Sequence, residues 1–286
     1  MDQEPVGAIT YRKGMAALPS PALPAATARA TAFLALHRPH DPVVLPNTWD
    51  AASARAVEAA GFHAVATSSA ALAATLGYDD GEAAPVGLVL EALGRIVRAV
   101  DLPVTADVER GYGLPPGELV ERLAGAGVVG CNLEDSDPAT GRMLDLSEQE
   151  DLISAVRAAA DALGVRLVLN ARVDTFLHGT GTAEERLADA VHRGRHYLIA
   201  GADCVYPILL SDPEGITRFA LEVPGPVNVL ARPQAPGTAT AGELAQLGVA
   251  RISYGPFLFH GVQERLVRAL HAIRAGRDPG RDEREH

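Results

Sequence analysis

Hydrophobic positions fall into short dense runs separated by longer stretches of mixed polarity. The dense runs, at 43–46, 64–68, 104–109, 128–134, 166–174, 204–207, 227–231 and 252–254, have the length and composition of buried strands. Stretches of helical composition follow at 51–60, 117–126, 147–163, 183–200, 213–221, 241–247 and 257–275. An extra helix is expected over 86–99, between the second and third strands. Another is expected over 25–37, where Phe33, Leu34 and Leu36 supply an apolar side. Gly61, Gly127, Gly164, Gly201 and Gly248 each stand just before the next strand, where a helix commonly ends on a left-handed residue.

Repeated β-then-α units predict an α/β protein: a (β/α)8 TIM barrel with an extra N-terminal helix, one domain over 23–275. Residues 1–22, with Pro5, Pro19 and Pro21, read as an irregular arm, and the charged run 276–286 as a solvated tail. A doubly wound sheet is the alternative. It is weakened because no Gly-x-Gly-x-x-Gly follows the first strand and no Walker-type Gly-Lys-Ser/Thr is present.

Composition narrows the partners. Over 286 residues the formal net charge is −11, which argues against a nucleic-acid backbone or an anionic membrane as the main partner. A hydrophobic content of 48% suits a soluble globular protein with a sizeable core. Cys131 and Cys204 lie in apolar runs and are too few for a disulfide framework, which fits a reducing compartment. No apolar run approaches the roughly 20 residues of a membrane span. Asp2 and Glu4 stand where a signal peptide would be basic, so the cytoplasm is the expected location.

The candidate chemistry centres on Asp107-Val-Glu-Arg-Gly-Tyr-Gly113 at the end of the third strand. With the strand expected to run through Glu109, Asp107 and Glu109 share one face, where their repulsion and lost hydration call for a hard cation. Barrel chemistry gathers at the C-terminal strand ends. Those ends carry Trp49, Ser68, Ser69, Asp107, Glu109, Glu134, Arg172, Asp174, Tyr206 and Asn228, with Asp80 in the loop after the second strand. Such a set could hold Mg²⁺ through oxygens and waters, with Arg172 facing an anionic substrate group. Singly, each has a structural alternative: Ser68 as a helix cap, Arg172 as a partner of Asp174, Trp49 as packing.

From about residue 43 to 275 the chain resembles the phosphoenolpyruvate mutase/isocitrate lyase superfamily. The stretches that carry the resemblance are Leu45-Pro-Asn-Thr-Trp-Asp-Ala-Ala-Ser-Ala54, Leu76-Gly-Tyr-Asp-Asp-Gly81, Asp107 to Gly113, Asn132-Leu-Glu-Asp135 and Asn170-Ala-Arg-Val-Asp174. The resemblance implies a barrel that exchanges its last helix between subunits of a homo-dimer or homo-tetramer. It also implies a Mg²⁺ site (Mn²⁺ is the substitute) for 2-oxo acids or their enolates. By position, Asp107 resembles the direct metal ligand, and Asp80, Glu109 and Glu134 the groups that hold the metal's waters. Ser68, Ser69 and Ala70 match the turn that binds the substrate carboxylate. Arg172 matches the arginine that stabilises substrate charge. With Glu134 as its catalytic partner, and Trp49 and Asn228 as further substrate contacts, these form the expected site.

One loop departs from the family. Carbon–carbon lyases of the superfamily carry Lys-Lys/Arg-Cys-Gly-His after the fourth strand, with the cysteine as proton donor. Here the segment reads Glu134-Asp-Ser-Asp-Pro-Ala-Thr-Gly-Arg-Met-Leu144, without cysteine or histidine. The lysine- and asparagine-bearing gate of the phosphonate enzymes is missing as well. The leading expectation is a Mg²⁺-dependent lyase or decarboxylase acting on a small 2-oxo (or 2-hydroxy) acid through an enolate. A phosphonomutase or phosphonopyruvate hydrolase-like activity and a non-catalytic 2-oxo acid binder stand as alternatives.

Overall fold

The computed structural model describes residues 23–233 and 239–279. The arm expected over 1–22 and the tail beyond residue 279 lie outside the described residues. The first barrel strand comes in two halves, β1 (Val43–Leu45) and β2 (Asn47–Thr48), separated at Pro46, which has no N–H for the ladder. The wall continues through β3 (Val65–Thr67), β4 (Val104–Asp107), β5 (Gly130–Leu133), β6 (Val168–Val173), β7 (Cys204–Pro207), β8 (Asn228–Leu230) and β9 (Arg251–Ser253). Neighbours run parallel in the order β2-β3-β4-β5-β6-β7 and β1-β9-β8. A parallel bridge from Val205 to Val227 joins β7 to β8, and the register Val43↔Arg251 brings β9 back to β1. The ring is closed, which excludes the doubly wound alternative.

Around it lie α1 (Leu23–Leu34), α2 (Ala51–Ala59), α3 (Ser69–Leu76), α4 (Val86–Val97), α5 (Pro116–Ala126), α6 (Leu146–Leu163), α7 (Thr175–His178), α8 (Ala183–Ala200), α9 (Pro213–Glu222), α10 (Ala241–Gln246) and α11 (Phe257–Arg274). The main core lies between the strands and helices α2 to α10, with Leu93, Leu119, Leu123, Ile153, Tyr197 and Phe219 almost wholly buried. Among the described residues no helix is long and apolar enough to cross a membrane. Both cysteines are buried free thiols, pushed up to about 12 by burial.

Helix α1 decides which end of the barrel is open. Its Ala30 and Phe33 pack on Val43, Ala64, Val129 and Val168, residues at the beginnings of strands. At that end of the barrel wall Arg251, the first residue of β9, is 1% exposed, gives Asn132 Oδ1 a hydrogen bond at 3.2 Å and lies over the Phe33 ring at 5.9 Å. With that end plugged, the strands' C-terminal ends form the accessible mouth.

Several expected strands are a residue or two shorter at one end or both, and four further differences matter more. Strand β4 stops at Asp107, and Glu109 has φ +51°, in the left-handed region. Glu109 therefore does not share a strand face with Asp107; the chain has already turned. Strand β9 starts at Arg251, one residue before the expected run, because a buried arginine does not read as a strand residue. Helix α1 ends at Leu34, so Leu36 packs from the following turn. Finally, α7 is a four-residue helix that hydrophobic periodicity did not mark, whereas the helix start read at Ser68 is present as α3.

Candidate active site

The centre of the mouth is Asp107. Its Oδ2 accepts the Ser69 hydroxyl at 3.1 Å and the Ser69 N–H at 3.3 Å, and its own N–H donates to Thr67 Oγ1 at 3.0 Å. The other oxygen, Oδ1, is buried without a hydrogen-bond partner. A buried carboxylate oxygen in that position is costly unless something electropositive meets it.

Two loops bring the next carboxylates by exchanging hydrogen bonds. Glu109 Oε2 accepts the Glu82 N–H at 2.6 Å. In return Glu82 Oε1 accepts the N–H groups of Tyr112 at 2.6 Å and Arg110 at 3.1 Å. The remaining oxygen of Glu109 accepts the Tyr112 hydroxyl at 2.9 Å. Glu82, Glu109 and Tyr112 all have positive φ, of 60°, 51° and 57°. Three side-chain-bearing residues in this region need such a network to hold them. The role of Glu82 was not visible in the sequence, since its signal is a backbone contact with a loop 27 residues away.

Burial, then the Asp80 charge, pushes Glu109 up to about 7. Asp80 stands at the solvent edge, where partial desolvation and then Asp107 raise its carboxyl. Glu134, just past β5, is raised well above its usual range by burial, although Arg172 works in the other direction.

Arg172 points from β6 into this acidic ring. Its Nη1 pairs with Glu134 and its Nε with Asp174. Burial opposes the guanidinium charge, but Asp174, Glu134 and Asp107 outweigh it, so the side chain stays firmly protonated. Asp174 is itself buried: its N–H donates to Asp135 Oδ1 at 2.7 Å, and its Oδ2 accepts the Ser136 hydroxyl at 2.5 Å. Asp135 also accepts the Tyr197 hydroxyl at 2.7 Å and lies 3.3 Å from Arg193 Nη1. Burial and the Asp174 charge push Asp135 up to about 7.

The other expected residues have mixed settings. Ser68 caps α3, accepting the Ala71 N–H at 3.4 Å, and Ala70 occupies the first turn of the same helix. Asn228 is fully buried beside Ser253, whose hydroxyl it accepts at 3.2 Å, and its Nδ2 has no partner. Trp49 packs edge-on against Phe259 of α11 at 5.2 Å. Thus the fold brings Ser69, Asp80, Asp107, Glu109, Glu134 and Arg172 together electrostatically, whereas Trp49 contacts the last helix.

The segment after Glu134 is a short hairpin. Ser136 bridges Met143, the Asp137 N–H donates to Arg142 O at 2.8 Å, and the Leu144 N–H to Asp135 O at 3.0 Å. The Pro138 carbonyl lies so near Gly81 that a Cβ there would be 3.5 Å from it. On the other flank Gly141 lies against His178, whose Cε1 would be 3.5 Å from a Cβ there, and both line a cleft of about 740 Å³.

The donor set suits a hard divalent cation. It is all oxygen, it leaves Asp107 Oδ1 without a partner, and its members resist ionisation in one another's presence. Among the described residues, no three Asp, Glu, His or Cys side chains are close enough together to hold an ion directly.

Comparison with known proteins agrees with this architecture. The sequence profile of the phosphoenolpyruvate phosphomutase family matches residues 33–274. An uncharacterized protein of Mycobacterium tuberculosis (strain H37Rv) is 34% identical over 254 residues, covering 86% of this chain and 89% of that one. A Bacillus subtilis 2-methylisocitrate lyase is 29% identical over 196 residues, 65% of this chain and 62% of its own length. The crystal structure of a Burkholderia cenocepacia protein provisionally named a phosphonomutase superposes with a TM-score of 0.80 at 43% identity. It covers 85% of this chain and 99% of that one. With the closed parallel barrel and the acidic mouth already described, the match over residues 33–274 makes this chain a member of the phosphoenolpyruvate mutase/isocitrate lyase superfamily.

Proposed function

We propose that the protein is a Mg²⁺-dependent enzyme that breaks a bond beside the carbonyl of a small 2-oxo acid, releasing an enolate. The carrying observation is Asp107, with one buried oxygen unpartnered, amid Asp80, Glu109 and Glu134 and facing the Arg172 side. Asp107 would hold the ion directly, and Asp80, Glu109 and Glu134 would hold its waters. Bound there, Mg²⁺ would act as a Lewis acid toward the 2-oxo group.

The chain's own groups do the rest. The Arg172 guanidinium is fixed on two sides by Asp174 and Glu134, which leaves Nη2 as the donor for an oxygen that gains charge as the bond to C3 breaks. In the first turn of α3 the Ala70 N–H is a donor for the substrate carboxylate, as helix starts are for anions, while the Ser69 N–H is committed to Asp107 Oδ2. Asn228 Nδ2 is a further donor inside the barrel. Loss of CO2 from a 2-oxo diacid needs no side-chain acid, because the enolate can take its proton from water. Cleavage of a longer carbon skeleton needs a donor, and the hairpin 136–143 contains no cysteine or histidine. Decarboxylation is therefore favoured among the lyase reactions.

Phosphorus–carbon chemistry is the second reading, favoured by the 43% identity to the Burkholderia protein and disfavoured by the hairpin's lack of lysine and asparagine. A non-catalytic 2-oxo acid binder is the third. One assay separates them: purified protein with Mg²⁺ and a panel of 2-oxo acids, 2-hydroxy acids and phosphonopyruvate, following CO2, pyruvate and phosphate. Release of CO2 or pyruvate from a carbon acid supports the proposal. Turnover of phosphonopyruvate alone, or tight binding without turnover, replaces it with the second or third reading.

We also propose that copies associate through α11. Val262, Leu266, Leu270 and Ile273 recur along one side of this helix and are about half exposed, an apolar stripe left uncovered in a single chain.

A further inference from the structure

The buried carboxylate of Asp174 has two clients, one on each oxygen. Oδ1 holds Arg172 Nε, and Oδ2 accepts the Ser136 hydroxyl at 2.5 Å. Ser136 is the base of the hairpin, where it bridges Met143, and is 5% exposed. The hairpin's far flank, at Pro138, rests by Gly81, next to Asp80. One short segment thus touches the arginine side of the mouth through a hydroxyl and the acidic side through a backbone carbonyl.

We propose that Ser136 is a positioning residue that couples the seating of hairpin 136–143 to the orientation of Arg172, through Asp174. The physical reason is economy of partners. Asp174 is wholly buried, and its backbone N–H is fixed by Asp135 at 2.7 Å, so its carboxylate plane is set by what the two oxygens bind. With Ser136 in place, both oxygens are satisfied and Oδ1 is aimed at Nε. With the hairpin lifted, Oδ2 loses its donor inside a dry site, and the carboxylate turns to recover one. Arg172 is then held only at Nη1 by Glu134. A guanidinium held at one nitrogen can swing, whereas one held at two is preorganised.

This inference rests on the reading of Arg172 as the residue that meets substrate charge, and the experiment keeps the two apart. On whichever acid the panel identifies, Ser136→Ala should lower kcat by about 10- to 100-fold, the range for residues that orient a site group, with KM changed far less. Ser136→Thr, which keeps the hydroxyl, should recover most of the loss. In an Arg172→Lys background, Ser136→Ala should add almost nothing, since both act through one contact. Equal losses in both backgrounds, or a loss confined to KM, would overturn the coupling. If no acid is turned over, the arginine Nε–H NMR signal that disappears in Arg172→Lys still decides. It should shift and broaden in Ser136→Ala and return in Ser136→Thr; an unmoved signal refutes the coupling whatever the reaction.

Discussion

Ser69 and Asp107 are joined by two hydrogen bonds onto one carboxylate oxygen, from the hydroxyl at 3.1 Å and the N–H at 3.3 Å, which leaves the second oxygen buried and bare. The helix start thus orients the strand-end carboxylate and keeps Oδ1 available. Asp107→Asn retains an oxygen for Ser69 but removes the charge. It should weaken Mg²⁺ binding and slow turnover by more than about 100-fold, beyond the usual effect of an outer partner. Calorimetric titration with Mg²⁺ checks this, and an isotherm equal to wild type would remove Asp107 as the ligand.

His37 gives the fold a pH dependence unconnected to the mouth. Its Nδ1 lies 3.0 Å from Phe33 O, its ring meets Phe33 edge-on at 4.7 Å, and burial followed by the Arg251 charge lowers it to about 3. Between pH 3 and 6.5 the unfolded chain binds a proton there that the native chain refuses. Stability therefore rises with pH across that window and is lost as pH falls through it, by up to about 1.4 kcal/mol per pH unit. Urea unfolding from pH 4 to 7 should show a steeper dependence for wild type than for His37→Gln. Equal slopes would mean that His37 takes up its proton as readily in the native protein as in the unfolded chain.

Gly130 sets how closely β5 approaches β6. A Cβ there would lie 2.8 Å from the Val168 carbonyl oxygen and 3.1 Å from Thr105 Oγ1, so backbone would have to move. Gly130→Ala should destabilise by about 1–3 kcal/mol. Gly117, inside α5 with nothing within 4 Å of its Cβ position, provides the contrast. Its alanine variant should be neutral or stabilised by about 0.4–1 kcal/mol. Denaturant midpoints that ranked the two variants the other way would show that β5 and β6 separate freely.

The stripe on α11 predicts a concentration-dependent assembly. Leu266 and Leu270 are 50% and 54% exposed, and replacing both with glutamate should convert an oligomer to a monomer in sedimentation velocity. A wild-type protein that sediments as a monomer at micromolar concentration would refute the proposal.

Local signals in the sequence determined the barrel. The period of the apolar runs and the glycines at helix-to-strand joints depend on neighbouring residues alone, and Gly127, Gly164 and Gly201 do close their helices with positive φ. The acidic members of the mouth were legible for the same reason: each sits at a strand end or in the loop that follows. What only the tertiary structure decided is how they meet. Glu109 reaches the site from a left-handed turn and not from the face of β4, because Glu82 and Tyr112, from two separate places in the chain, hold that turn. Arg251 entered the barrel wall although a charged residue carries no strand signal. Ser136 came to share Asp174 with Arg172 across 38 residues of chain. Such contacts arise from burial and from satisfying polar groups at a distance, and no window of sequence records them.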